Sequence, residues 1–383
     1  MRRRLRFLFP AILVGAALAF FAACSPARVT EAARIVDDIR AGSAASLLKD
    51  VRPEPVRTAV VYEIDGMVAE GDLYQPADAI LARIVLVPGV TPAGRNDRRL
   101  VEFAMTLARA RFEVLVPDLV EMRELRVSAE EAVPIANAVM FLDRADDDRP
   151  LGIAAVSFAV GPALISLFDP DAGPRVDFVL AIGGYYDLEA LITFITTGYH
   201  RGDRSQPWQY LGDSRLAKWV FLFSNASRIE DEADRQRLQE MARRRMADPG
   251  ADITDVVAQL GPEGRSTYAV FSNTDPDQAE RLWLALPVAI REEAARLDLR
   301  NWRLEELSAR FILIHDRNDR VVPADHSRWL SAALPAGRVD AFLIGSLRHA
   351  DPQPPGFRDA FTMLRAVYAV LSERDRARAR HAD

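Results

Sequence analysis

The segment Leu151–Gly161 (LGIAAVSFAVG) holds the strongest chemical signal in this 383-residue chain. An apolar run ends at Val156, Ser157 follows at once, and helical spacing begins soon after. A serine on a sharp strand-to-helix turn presents its Oγ above a sheet edge, where it can attack an acyl carbonyl. Such a turn needs small residues two places before and after the serine, because their side chains face each other closely. Ala155 and Ala159 meet that need; Val156 and Phe158 are the free positions. The backbone N–H of Phe158 then points to where a tetrahedral oxyanion would form, helped by the following helix N-terminus. A serine between small residues is also common without any chemistry, so the reading depends on partners elsewhere. If the chemistry needs a proton shuttle near neutral pH, it has five candidates: His200, His315, His326, His349 and His381.

The elements that must position these groups follow from the hydrophobic pattern. Arg57–Ile64 and Met67–Tyr74 are β-rich runs around Asp65-Gly66, a hairpin signal. Arg83–Pro88, Phe112–Pro117, Leu151–Val156 and Phe178–Ile182 are short continuous apolar runs, as expected of strands buried on both faces. Helical spacing marks Leu100–Ala110 and Gly161–Phe168. Ser128-Ala129-Glu130-Glu131 reads as a capping box opening a helix to about Leu142. From Asp187 to Arg310 no convincing buried strand occurs, and the pattern is helical. Strand character resumes at Phe311–His315 and Val339–Ile344, with helices from about Ala324 to Leu334 and Phe357 to Leu371. A hairpin followed by alternating strands and helices predicts an α/β fold with a mostly parallel central sheet flanked by helices. The helical block would leave a strand's carboxyl end, where open α/β sheets bind ligands, and so form a cap. The expected division is an export signal (1–23), a tether (24–56) with one amphipathic helix (Glu31–Ile39), and a first core part (57–186). A helical cap insertion (187–310), a second core part (311–373) and a charged tail (374–383) complete it.

With its relaxed G-x-S-x-G turn, Ala155-Val156-Ser157-Phe158-Ala159, the chain resembles the α/β-hydrolase family. Two more motifs support the likeness. Leu86-Val87-Pro88-Gly89-Val90 resembles the loop that supplies the family's second oxyanion N–H, with Pro88 in place of the usual histidine; the donor that matches is Val90. Phe311–Pro323 (FILIHDRNDRVVP) resembles the acid loop, in which Asp319 is the matching position and Asp316, at the strand end, is the runner-up. The family places its histidine on the loop after the last strand, which here is Gly345–His349, so His349 matches. The resemblance implies the fold and a Ser157, Asp319, His349 triad in the family's chain order. It also implies an acyl-enzyme mechanism on a carboxylic ester, a lipid or other acyl substrate included, without metal or organic cofactor. Two other readings stay open. One is a catalytically inactive, membrane-tethered binding or scaffold protein on this fold; the other is a lid-gated peptidase.

Composition narrows the rest. One cysteine excludes an intramolecular disulfide and zinc sites built on two or more cysteines. A formal net charge of −6 argues against general nucleic-acid binding, although 47 of the 49 basic residues are arginine. Arg2, Arg3, Arg4 and Arg6 precede an uncharged apolar run, Phe7–Ala23, the plan of an export signal. The run ends at Cys24, the lone cysteine, and small residues before it resemble a bacterial lipoprotein signal with Cys24 as the lipid attachment point. An uncleaved signal anchor is the alternative. Both place the domain in a bacterial cell envelope, on a membrane and outside the cytoplasm; cleavage at another point would release it on the same side.

Overall fold

The computed structural model describes residues 25–143, 148–203, 205–212, 215–345 and 356–376. A central sheet of eight strands has the order β1-β2-β4-β3-β5-β6-β9-β10. Its members are β1 (Val56–Ile64), β2 (Met67–Gln75), β3 (Ala82–Val87), β4 (Phe112–Pro117), β5 (Leu151–Val156), β6 (Phe178–Ile182), β9 (Arg310–Asp316) and β10 (Val339–Ile344). Strand β2 runs against both its neighbours, and all pairings from β4 through β10 are parallel. The β1–β2 turn has positive φ at both Asp65 and Gly66, the geometry that Asp-Gly favours. Every residue of β3 and β4 is buried, which is why both strands are apolar on both faces apart from Arg83 and Glu113.

Helices cover both faces. One face carries α1 (Pro26–Ala41), α2 (Leu47–Val51), α3 (Arg98–Arg109) and the last helix, Phe357–Arg374. The other carries α4 (Ala132–Leu142), α5 (Val160–Ile165) and the insertion between β6 and β9. The longer helices of that insertion are α6 (Leu188–Thr197), α7 (Arg215–Ala226), α8 (Glu232–Ala247), α9 (Pro262–Ser272) and α10 (Val288–Leu297). Its strands are a two-residue ribbon, β7 (Tyr199–His200) with β8 (Gln209–Tyr210). The apolar stretches Leu191–Ile195 and Trp219–Phe223 pack into the core. Beyond β9 come α11 (Asp325–Ala333), β10 and the last helix, α12.

Two expectations are corrected. The tether expected over residues 24–56 is, from Pro26 to Arg52, a docked part of the fold. Ala32, Ile35 and Leu48 are buried against the α3/α12 face. Asp38, also buried, accepts from Thr106 Oγ1 at 2.6 Å and from Ser46, and pairs with Lys49 at 2.7 Å. These partners hold its carboxylate below its usual pKa. Arg374 clasps Glu31 at 2.8 Å, and Arg28 pairs with Asp375 at 2.9 Å. The capping box also fails to close. Ser128 caps Glu130 N–H at 3.2 Å, but Glu131 turns away to accept from Met122 N–H at 3.1 Å. A 3₁₀ turn, Ala129–Glu131, therefore precedes α4.

One buried ion pair interrupts the apolar strands. Arg83 on β3 and Glu113 on β4 are register partners, and Arg83 Nε donates to Glu113 Oε2 at 3.1 Å with both side chains at most 2% exposed. Gln75 Nε2 adds a bond to Glu113 Oε1 at 3.2 Å. Removing one partner strands a charge in the sheet, so Arg83→Met should lower unfolding free energy by about 3–5 kcal/mol. Chemical denaturation checks this, and adding Glu113→Leu should recover most of the loss; no recovery would contradict it.

Candidate active site

The parallel strands deliver their loops to one edge. Ser157 follows β5 directly and has φ +59°, in the left-handed region that a non-glycine residue occupies at a cost of about 1–3 kcal/mol. The turn runs into a 3₁₀ turn, Ser157–Ala159, and then α5. Ala155 and Ala159 are fully buried, while Val156 and Ser157 are partly exposed. Phe158 is buried with its ring 4.5 Å from Phe221 of α7 and 5.8 Å from Tyr185, measured between centroids. The residue after the serine thus packs directly under the helical insertion.

The loop after β3 reaches the same place. Val87 and Ala155 are sheet partners, which carries Pro88–Val90 alongside Val156–Ser157. A Cβ built on Gly89 would lie 3.9 Å from the Val156 carbonyl oxygen, and Val90 is half-buried against the core.

Asp319 lies on the loop after β9, two strands from β5, and is 1% exposed. Its Oδ1 accepts from Val321 N–H at 2.7 Å and Val322 N–H at 3.0 Å, which fixes the carboxylate. Asp316, also buried, ends β9 and accepts from Asn318 N–H at 2.8 Å. His349 and Cys24 lie outside the described residues, as does His381.

The other histidines have clear surroundings. His315 is buried; its Nε2 meets the Val322 carbonyl at 2.8 Å and its Nδ1 meets Ser327 Oγ at 2.6 Å. A carbonyl only accepts, so Nε2 carries a proton. This is a buried core histidine, 3.6 Å from Asp319 Oδ2. His200 Nδ1 lies 2.8 Å from Asp325 Oδ2 and ties the insertion to α11.

His326 holds a role the sequence did not signal. It is buried, and its Nδ1 accepts from the backbone N–H groups of Tyr186 (3.3 Å) and Asp187 (3.4 Å) at the exit of β6. Tyr185 in the same loop donates its hydroxyl to the Leu297 carbonyl at 2.9 Å. Gly161 and Gly184 let this loop lie on α5. A Cβ on Gly161 would stand 2.1 Å from Tyr185 Oη, and one on Gly184 would stand 2.6 Å from Val160 Cγ1. Among the described residues no group of three or more His, Cys, Asp and Glu could hold a metal ion. No described helix is long and apolar enough to cross a membrane.

Burial sets a pH dependence. It lowers His326 to about 3 and raises Glu131 to about 7. Between about pH 3 and 6.5 the unfolded chain binds the His326 proton and the native state does not, so this stability is lost as pH falls through that window. Glu131 acts oppositely: the native state holds its proton between about pH 4.5 and 7, so that stability is lost as pH rises. The two oppose each other from pH 4.5 to 6.5. Relative to wild type, Glu131→Gln should steepen the rise of stability with pH there by about 1.4 kcal/mol per pH unit. His326→Asn, which keeps an acceptor for the two N–H groups, should flatten the fall below pH 4.5. Urea midpoints across pH 3.5–7.5 check both slopes.

Strand order, the serine turn and the insertion after β6 together define the fold. The chain is similar to a solved candidate hydrolase from Legionella pneumophila, with 14% identity, 87% of this chain and 92% of that one covered, and a TM-score of 0.53. It is also similar to the rice cell wall degrading esterase LipA from Xanthomonas oryzae, with 13% identity, 82% and 88% covered, and a TM-score of 0.51. No family model and no curated protein matches the sequence. The likeness is one of fold: the chain has the α/β-hydrolase fold.

Proposed function

We propose that this protein is a serine hydrolase of carboxylic esters, exported and held at a membrane by its amino-terminal segment. The observation that carries the reading is Ser157 itself. It occupies a left-handed conformation at the carboxyl end of a central strand, half-exposed, with small buried residues on either side. Backbone strain of this kind persists only where the surroundings impose it, and such positions cluster at active sites.

In this reading His349 takes the proton from Ser157 Oγ as it attacks the acyl carbonyl. Asp319 orients His349 and stabilises the imidazolium. The N–H groups of Phe158 and Val90 hold the oxyanion. The alcohol leaves with the proton from His349, and water, activated by the same histidine, releases the acid from Ser157. The buried, doubly bonded Asp319 carboxylate suits the orienting role, because its geometry is set before substrate arrives.

A p-nitrophenyl ester series of increasing acyl length, run beside peptide p-nitroanilides, tests the reaction class. Ester turnover with little anilide turnover is expected; the reverse would make the protein a peptidase, and neither would make it a binding protein. His349→Ala should cost at least about 10³-fold in kcat/KM. His326→Asn should stay within about tenfold, since its ring bonds loop amides and is neutral in this range. Equal losses would refute the assignment.

A further inference from the structure

The amino-terminal segment was expected to be a tether, yet Ser25 is pinned to the fold. Its backbone N–H lies 3.3 Å from Tyr368 Oη, α1 begins at the next residue, and Arg28 pairs with Asp375. These contacts sit at the amino-terminal edge of the sheet. Arg374, beside Asp375, donates to the Ala110 carbonyl at 2.7 Å, just before β4 begins. Arg52 pairs with Asp78, just before β3, at 2.7 Å. Ser157 and Asp319 lie past the opposite ends of parallel strands. The edges are separated by six-residue strands, a span of about 20 Å at ~3.3 Å per residue. The uncharged run Phe7–Ala23 and Cys24 directly precede Ser25.

We propose that the amino-terminal edge of the sheet rests on the bilayer and that Ser157 opens away from it, toward the aqueous compartment. The site then takes a water-borne acyl ester and not a phospholipid of the anchoring leaflet. The proposal rests on the membrane attachment and ester hydrolysis set out above. Two features fit this edge to a lipid surface. Val51 of α2 shares a surface cleft with Ser25, Arg28 and Asp375 and is 50% exposed; Leu47, one turn before it and bonded through its N–H to Asp37 of α1, is 60% exposed; and Val56, paired with Gln75 at the same edge, is 59% exposed. Residues 25–56 carry five basic and five acidic side chains, so contact needs no anionic lipid. A pinned Ser25 also leaves no slack for the domain to turn over. A linker of thirty flexible residues would reach about 30 Å; here Ser25, the residue after Cys24, bonds Tyr368.

The test uses full chain purified from membranes and reconstituted into phosphatidylcholine vesicles that carry an acceptor-labelled lipid. A donor fluorophore is placed through a non-canonical amino acid at Leu47 or at exposed Tyr210, whose neighbour Gly212 lies beside Arg320 on the Asp319 loop. Transfer severalfold stronger from 47 than from 210 is expected, and unchanged when anionic lipid is added. Equal or reversed transfer, or failure of the protein to float with the vesicles, would overturn the orientation. In the same vesicles a soluble p-nitrophenyl ester should be cleaved and a bilayer-embedded fluorogenic phospholipid should not; comparable rates on both would overturn the substrate assignment. If neither ester turns over, the serine-hydrolase reading fails and the transfer measurement still decides the orientation.

Discussion

Ser157→Ala should reduce ester kcat by about 10⁴- to 10⁶-fold while leaving the protein folded, the range seen when a triad serine is removed. The size of the effect follows from what Ser157 alone supplies. In the proposed mechanism no acyl-enzyme forms without Oγ, and only binding and the proposed oxyanion donors remain. Folding should survive because the side chain is half-exposed and alanine tolerates the turn no worse than serine. The backbone offers a second readout. At φ +59° glycine is relaxed where alanine is strained, so Ser157→Gly should be more stable than Ser157→Ala by about 1 kcal/mol. Equal activity of wild type and Ser157→Ala would remove the serine from the chemistry. Equal stability of the two variants would remove the strain argument.

The second large effect concerns the acid. Asp319→Asn should lower kcat about 10⁴-fold, against less than about tenfold for Asp316→Asn. The Asp319 loop should hold in the variant, because an amide oxygen can still accept from Val321 and Val322. The other carboxylate oxygen becomes an NH₂ donor, which cannot accept from an imidazole N–H, so the working tautomer is lost. Asp316 plays a different part, ending β9 opposite Ile344 and capping Asn318 N–H. Steady-state kinetics on a p-nitrophenyl ester separates the two, and the reverse ranking would move the acid to Asp316.

Most of the sheet was legible in the sequence because its inner strands are buried on both faces. Leu151–Val156, Phe178–Ile182 and Phe112–Pro117 begin and end where the apolar runs do. Asp65-Gly66 marked its hairpin because few other pairs take two positive φ values. The unread parts depend on contacts between distant residues. Nothing local says that Glu31 and Arg28 will meet Arg374 and Asp375, more than 340 residues away, so the helix at Glu31–Ile39 was legible but its docking was not, and the segment read as a tether. Glu131 matched a capping box, but Met122 N–H was the stronger competitor for its carboxylate. Gly161 and Gly184 gave no signal of their own, since their value lies in the close approach of Tyr185 and Val160. His326 looked like an ordinary first-turn residue; only the β6 exit loop, 140 positions away, makes it an acceptor. The serine turn and acid loop were readable as local motifs, and the structure brings both to the carboxyl edge of the sheet. His349 lies outside the described residues.

Labelling of the full chain with a fluorophosphonate probe, followed by peptide mapping, tests the central claim most directly. The account predicts one modified residue, Ser157, with labelling absent in Ser157→Ala and strongly reduced in His349→Ala. Well-folded wild-type protein that takes up no probe, or takes it up equally when Ser157 is replaced, would contradict it.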